Sequence, residues 1–191
     1  VIRAAEAAVE AGFAVDFISL GREGRPSLEV INGVRVMRVR QNRYRGASRW
    51  GYVGAYLSFF ARCLLLSSRL YATKRYKIVH VNNMPDVLVF SAIVPKLLGA
   101  KIVLDIHDPM PETLGAKFEG SSATALYRLL LWMEQLSVAF ADRMITVNEP
   151  VKHGILAKHG YPLSRIEVIA NFADDRLFGV VSYPPIDGFV R

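Results

Sequence analysis

Apolar and polar positions fall into blocks along this chain, and the blocks change period. Residues 2–11 are Ala-rich with Glu6 and Glu10 on one side, which predicts an amphipathic helix ended by Gly12. Residues 14–20, AVDFISL, read as a strand, and GREGRPS after them as a loop. Asn32 and Gly33 signal a turn, and VRVMRV at 34–39 alternates apolar and basic positions like a half-exposed strand. Residues 41–49 read as a basic loop. Residues 50–72 are apolar nearly all round, interrupted by Arg62 and Arg69. The uninterrupted run is shorter than the ~20 residues of a membrane span, which predicts a buried or surface-lying helix.

The second half repeats a simpler rhythm. KIVHV at 77–81 predicts a strand ending in Asn82 and Asn83, and Pro85 and Asp86 open a helix to about 98, closed by Gly99. Residues 101–106, KIVLDI, are an apolar, partly β-branched run suited to a buried strand. Residues 114–122 are polar and read as a flexible loop. Leu126, Leu129, Leu130, Met133 and Leu136 recur at helical spacing within 124–141. RMITV at 143–147 predicts a strand ending in Asn148 and Glu149, 150–159 a short helix closed by Gly160, and 166–169 a strand leading to Asn171. Beyond 178 the SYPPIDGF stretch reads as a linker.

Alternating strands and helices predict an α/β fold, a Rossmann-like parallel sheet with helices on both faces and 101–106 at its centre. Ligands of such sheets bind outside the carboxyl ends of the strands. Here those ends are polar: Asn82 and Asn83, His107 and Asp108, Asn148 and Glu149, and Asn171. The centre of interest is KIVLDIHDPMPE, where Pro109 and Pro111 stop strand and helix and leave Asp105, His107, Asp108 and Glu112 on a rigid turn. His107 and Asp108 suit acid–base work or hydroxyl binding; the plainer alternative is a turn held by side-chain hydrogen bonds. Asp105 points the same way as His107, and its plainer role is a buried carboxylate that orients the loop.

Composition adjusts this picture at three points. The 191 residues are 52% apolar, ample for a core, and the single cysteine, Cys63, lies in an apolar stretch and reads as core. The chain opens in what reads as mid-helix, so a preceding strand is expected to be absent, with residues 1–178 as one domain and 179–191 as linker. Net charge is +7, and between Val30 and Pro85 there are eleven Lys and Arg residues and no acid. That asymmetry points to an anionic partner. With Trp50, Tyr52, Tyr56, Phe59 and Phe60 beside it, an anionic membrane surface fits better than nucleic acid, because the apolar content is too continuous for a nucleic-acid face. The candidate residues are Arg38, Arg40, Arg43, Arg45 and Arg49; the alternative is a buried helix beside a solvated basic loop. His80, His107, His153 and His159 show no metal-ligand spacing and there is no Cys pair, so no metal is expected. There is no P-loop or G-x-G-x-x-G, but the turn where such a loop would sit would precede Val1, so its absence says nothing; no cofactor is expected.

Three segments together, VLDIHDPMPE, AFADRMITVNEPVKHGI and RIEVIANFADDRLF, resemble the family-4 retaining glycosyltransferases, nearest to enzymes of O-antigen and exopolysaccharide assembly. The resemblance implies the N-terminal, acceptor-side half of a GT-B fold. It implies a nucleotide-sugar donor as substrate, held mainly by a second domain, and a saccharide or lipid-linked acceptor at the cytoplasmic face of the cell membrane. It implies transfer with retention in polysaccharide biosynthesis, and no activity from the isolated fragment. His107 matches the family histidine that faces the donor sugar and is the candidate catalytic residue. Asn82, Asn83, Asp108, Glu112, Asn148, Glu149 and Asn171 are candidate substrate contacts. Asn171 matches an N-G-V-D pattern that here reads NFAD, with Phe172 in place of glycine. The alternatives are a sugar-nucleotide epimerase on the same fold and a non-catalytic membrane-docking module.

Overall fold

Two sheets organise the chain. The structure is a computed structural model, and it describes residues 2–21, 24–40, 49–82, 86–109, 111, 121–157 and 159–170. The expected 179–191 linker and the candidates Arg43, Arg45, Asn83, Glu112 and Asn171 lie outside the described residues, as do the loops over 41–48 and 114–120.

The first sheet holds β1 (Asp16–Leu20), β2 (Leu28–Ile31) and β3 (Val34–Val39) in the order β1-β3-β2. β1 runs parallel to β3, and β2 runs antiparallel to it. The hydrophobic pattern predicted β1 and β3 but not β2. Leu28 and Val30 point to solvent at 58% and 67% exposure, and on the other face of this edge strand Ile31 packs against the core beside the charged Glu29, so burial does not follow the apolar pattern. Its turn was legible: Asn32 and Gly33 take φ of 48° and 80°, the geometry of a tight hairpin turn. A Cβ on Gly33 would also come 2.7 Å from Val9 Cγ1 of α1 (Ile2–Glu10), so glycine serves both the turn and the helix packing. Ala5 of α1 packs with Val34 and Val36 in this sheet's small core.

The second sheet is wholly parallel: β4 (Ile78–Asn82), β5 (Lys101–Ile106), β6 (Arg143–Thr146) and β7 (Ile166–Val168), in chain order. β5 is an inner strand between β4 and β6, as the sequence predicted. Its even-numbered side chains, Ile102, Leu104 and Ile106, are fully buried, with Met144 of β6 beside them. Against that face lie Val89 and Ala92 of a 3₁₀ segment (Asp86–Ala92), which continues into α3 (Ile93–Leu97), together with Val138 and Ala141 at the end of α4 (Ser121–Phe140). Burying each such aliphatic side chain contributes roughly 1.5–3 kcal/mol, so this face carries the larger share of the apolar stabilisation.

Asp16 ties the first sheet to the segment of Lys74 and Tyr76 that leads into the second. Its side chain is 7% exposed and accepts Arg35 Nε at 2.6 Å and Nη2 at 2.5 Å, Lys74 Nζ at 3.0 Å, and the Tyr76 hydroxyl. Burial alone would raise this carboxyl, but hydrogen bonds from Arg35, Tyr76 and Lys74 outweigh it and hold it below the ordinary range. Burial and the Asp16 bond push the Tyr76 phenol far up, so it remains a donor.

α2 (Arg49–Lys74) lies on the surface, packed along the 3₁₀ segment and α3. Val53–Lys74 is long and apolar enough to cross a membrane by length and composition, yet only 6% of its most apolar stretch is buried. Val53, Leu57 and Leu65 stand exposed, as do Arg62 and Arg69. Cys63 is buried, as expected, and burial pushes its thiol up to about 11, which leaves it unreactive.

Candidate functional site

Parallel pairing decides which strand-end residues share a face. His80 stands opposite Val103 and Asn82 opposite Asp105. Side chains alternate along a strand, so His80 and Asn82 of β4 lie on one side of the sheet with Asp105 and His107 of β5. The other side of β5 is the apolar core. The sequence sends polar groups to one face of this edge and Ile102, Leu104 and Ile106 to the other.

The polar face centres on Asp105. One oxygen, Oδ2, meets His80 Nε2 at 3.2 Å and His107 Nε2 at 3.1 Å. The carboxylate side chain is 9% exposed, while both imidazoles are 32% exposed. Burial alone raises the Asp105 carboxyl. The His80 hydrogen bond, the charges of His107 and His80, and the His107 hydrogen bond outweigh it and hold the group below the ordinary carboxylate range. An ionised carboxylate only accepts, so each histidine donates through Nε2–H. Nε2 of each ring is thereby the atom committed to the carboxylate.

The end of β5 is fixed from behind. Thr146 Oγ1 donates to the Ile106 carbonyl at 2.9 Å, and Pro109 and Pro111 are buried. His107 is therefore presented by a strand end, a buried acid and a rigid turn, not by a free loop. Asp108 is exposed beside it.

The structure sorts the sequence candidates. His107, Asp105 and Asn82 come together. Asn148 Oδ1 accepts from the Val151 amide at 2.8 Å at the start of the π-helical turn Pro150–Leu156, so that oxygen has a structural partner. Glu149 pairs with His153 at 3.1 Å on an exposed surface. Arg38 is only 10% exposed, bonded to Glu29 at 2.7 Å and to the Pro26 carbonyl at 2.9 Å, so its charge is answered within the sheet and is withdrawn from the expected lipid-facing set. Arg40 is exposed, and its carbonyl accepts from Arg62 Nη1. His80 is the member that sequence reading missed. The available signal was parity: it sits two residues before Asn82, on the face that Asn82 and Asp105 share. Among the described residues, no group of three or more His, Cys, Asp and Glu side chains is arranged to hold a metal ion.

Comparison with known proteins agrees with this architecture. The family described as "Glycosyl transferase 4-like domain" matches residues 1–171. Among solved structures, the chain is similar to sucrose-phosphate synthase from Thermosynechococcus elongatus, with a TM-score of 0.62 at 17% identity, covering 90% of this chain and 41% of that one. That likeness is one of fold, and this chain spans about two fifths of the larger protein's length. No curated protein matches.

Proposed function

The chain belongs to the glycosyl transferase 4-like domain family, and from that premise we propose that the full-length protein transfers a sugar, with retention of configuration, from a nucleotide-sugar donor to a saccharide or lipid-linked acceptor. The observation that carries the reading is His107, set at the carboxyl end of an inner parallel strand and backed by buried Asp105 at 3.1 Å. Glycosyl transfer develops positive charge at the anomeric carbon. The His107–Asp105 pair sets an oriented polar group and a buried negative charge near that developing charge without reorganisation. Asn82 and Asp108 stand on the same strand-end rim as substrate contacts, and Asn83, Glu112 and Asn171 complete the proposed set. Incubation of the full-length protein with a panel of nucleotide sugars and saccharide acceptors tests the reading. Nucleoside diphosphate released only when donor and acceptor are both present is the expected result; no consumption of any donor would reject it.

The site works, in this proposal, at the cytoplasmic face of a membrane during surface polysaccharide assembly. Support comes from the exposed Val53, Leu57 and Leu65 on α2, the exposed Arg62 and Arg69 beside them, and the acid-free composition of residues 30–85. Arg40, Arg43, Arg45 and Arg49 would add to the anchor. Each cation near an anionic surface contributes about 1 kcal/mol, and salt screens it. Co-sedimentation with anionic vesicles is expected to fall with rising salt and on changing Arg40, Arg62 and Arg69 to Gln. Equal sedimentation of variant and parent at low salt, or none by either, would reject membrane docking.

A further inference from the structure

A cavity of about 680 Å³ opens at the amino ends of β5, β6 and β7, the edge of the second sheet opposite the His107 rim. Lys101, Val103, Asp142, Arg143, Ser164 and Arg165 line it. Lys101 begins β5, Arg143 begins β6 and Arg165 stands just before β7, so parallel pairing brings three cations to one edge. Asp142 is the acid among these lining residues, and it is already engaged. Its Oδ2 accepts from the Ile102 amide at 2.9 Å and pairs with Lys96 Nζ at 3.3 Å, while Oδ1 pairs with Lys101 Nζ at 3.5 Å. Burial alone raises the Asp142 carboxyl, but the Ile102 amide and Lys96 outweigh it and hold it below the ordinary range. The two guanidiniums are held without being neutralised. Arg143 Nη1 donates to the Ser164 carbonyl at 2.9 Å, and Arg165 donates Nε to the Asp142 carbonyl at 3.2 Å and Nη2 to the Ala141 carbonyl. Among the described residues neither guanidinium is paired with a carboxylate. Lys96, Lys101, Arg143 and Arg165 thus face one acid.

We infer that this cavity binds a phosphate-bearing anion at a place separate from the transfer edge. A guanidinium presents its donors in a planar fork that matches paired phosphate oxygens. The carbonyl contacts already order Arg143 and Arg165, so less side-chain freedom is lost when an anion arrives. Lys101, whose side chain is 73% exposed, adds a movable point charge at the mouth, and the Ser164 hydroxyl adds a donor. The volume falls within the roughly 300–1,000 Å³ of small-molecule sites, so a phosphate carried on a larger molecule is admitted as well as the free ion. Six residues of strand at about 3.3 Å each set Lys101 some ~20 Å from His107. An occupant here leaves the His107 rim clear, and the inference stands whether or not the protein is a transferase.

The test reads the cavity directly, because a nucleotide can also bind elsewhere on a full-length protein. The full-length protein is labelled with nitrogen-15 arginine, and the Nε–H signal of Arg143 is identified by its loss in Arg143→Gln. Inorganic phosphate, inorganic pyrophosphate and ADP are titrated in turn at about 0.15 M salt, where weak surface attraction is screened. With at least one probe the Arg143 signal is expected to move and saturate. Strongest binding by inorganic phosphate marks a free anion as the occupant; strongest binding by pyrophosphate or ADP marks a phosphate carried on a larger molecule. Lys101→Gln is expected to weaken the binding about tenfold, the loss of one charge-assisted contact. Lys152→Gln removes the same charge on another part of the surface and is expected to weaken it less than about twofold. Both variants are expected to melt close to the parent, since neither side chain is buried. A signal that stays still with all three probes, or drifts without saturating, overturns the site. So does an affinity unchanged in Lys101→Gln, or an equal loss in Lys101→Gln and Lys152→Gln.

Discussion

Changing His107 to Ala in the full-length protein is expected to lower turnover by two to three orders of magnitude while leaving the fold intact. Removing one well-placed polar group from a transition state costs about 3–4 kcal/mol, which is the basis of that figure. The stability effect is expected to stay at about 1–2 kcal/mol, the size of one charge-assisted hydrogen bond, because Asp105 keeps His80 and the strand end is held by Thr146 and the buried prolines. Donor and acceptor binding change less than turnover if the ring acts on developing charge. Turnover close to the parent in a folded variant would make His107 a turn residue only.

The second large effect concerns stability and lies away from the site. Glu134 in α4 is 0% exposed and accepts from the Tyr161 hydroxyl at 2.9 Å, with His159 Nδ1 at 2.8 Å. These contacts fasten α4 to the segment leading into β7. His159→Ala takes the imidazole from a buried carboxylate and is expected to cost about 3–5 kcal/mol. For a protein of this size that lowers the melting temperature by on the order of 10 °C. Replacing all three members with apolar residues, Glu134→Leu, His159→Leu and Tyr161→Phe, is expected to recover most of the loss, because no buried charge or unpartnered hydroxyl is then left behind. A loss under about 1 kcal/mol in His159→Ala, by chemical denaturation, would show that the carboxylate is not relying on its imidazole.

The legible and illegible parts of the sequence divide along a physical line. Local pattern was enough for β5, since an apolar run ending in D-I-H-D-P fixes both a buried strand and the parity of Asp105 and His107. It was enough for the Asn32–Gly33 turn, because few residues tolerate that backbone. It was not enough for β2, whose Leu28 and Val30 face solvent and obey no burial rule. Nor did it separate Asn82 from Asn148. Both follow apolar strands, but one is beside Asp105 while the other's Oδ1 accepts from the turn that Pro150 begins. His80 escaped because its role depends on register with a strand 25 positions away, a tertiary fact. The uniform apolarity of α2 left buried and surface-lying helices open, and the structure puts it on the surface. Arg38 shows the limit of charge counting: an acid-free stretch in sequence still finds Glu29 across the hairpin.

Proton NMR of the anomeric region, recorded while the full-length protein consumes an α-linked nucleotide sugar with its acceptor, tests the central claim most directly. The account predicts loss of the donor signal and growth of a new α-glycoside signal, both abolished in His107→Ala. A donor that disappears into an epimerised nucleotide sugar, a β-glycoside product, or a donor signal that never changes would contradict it.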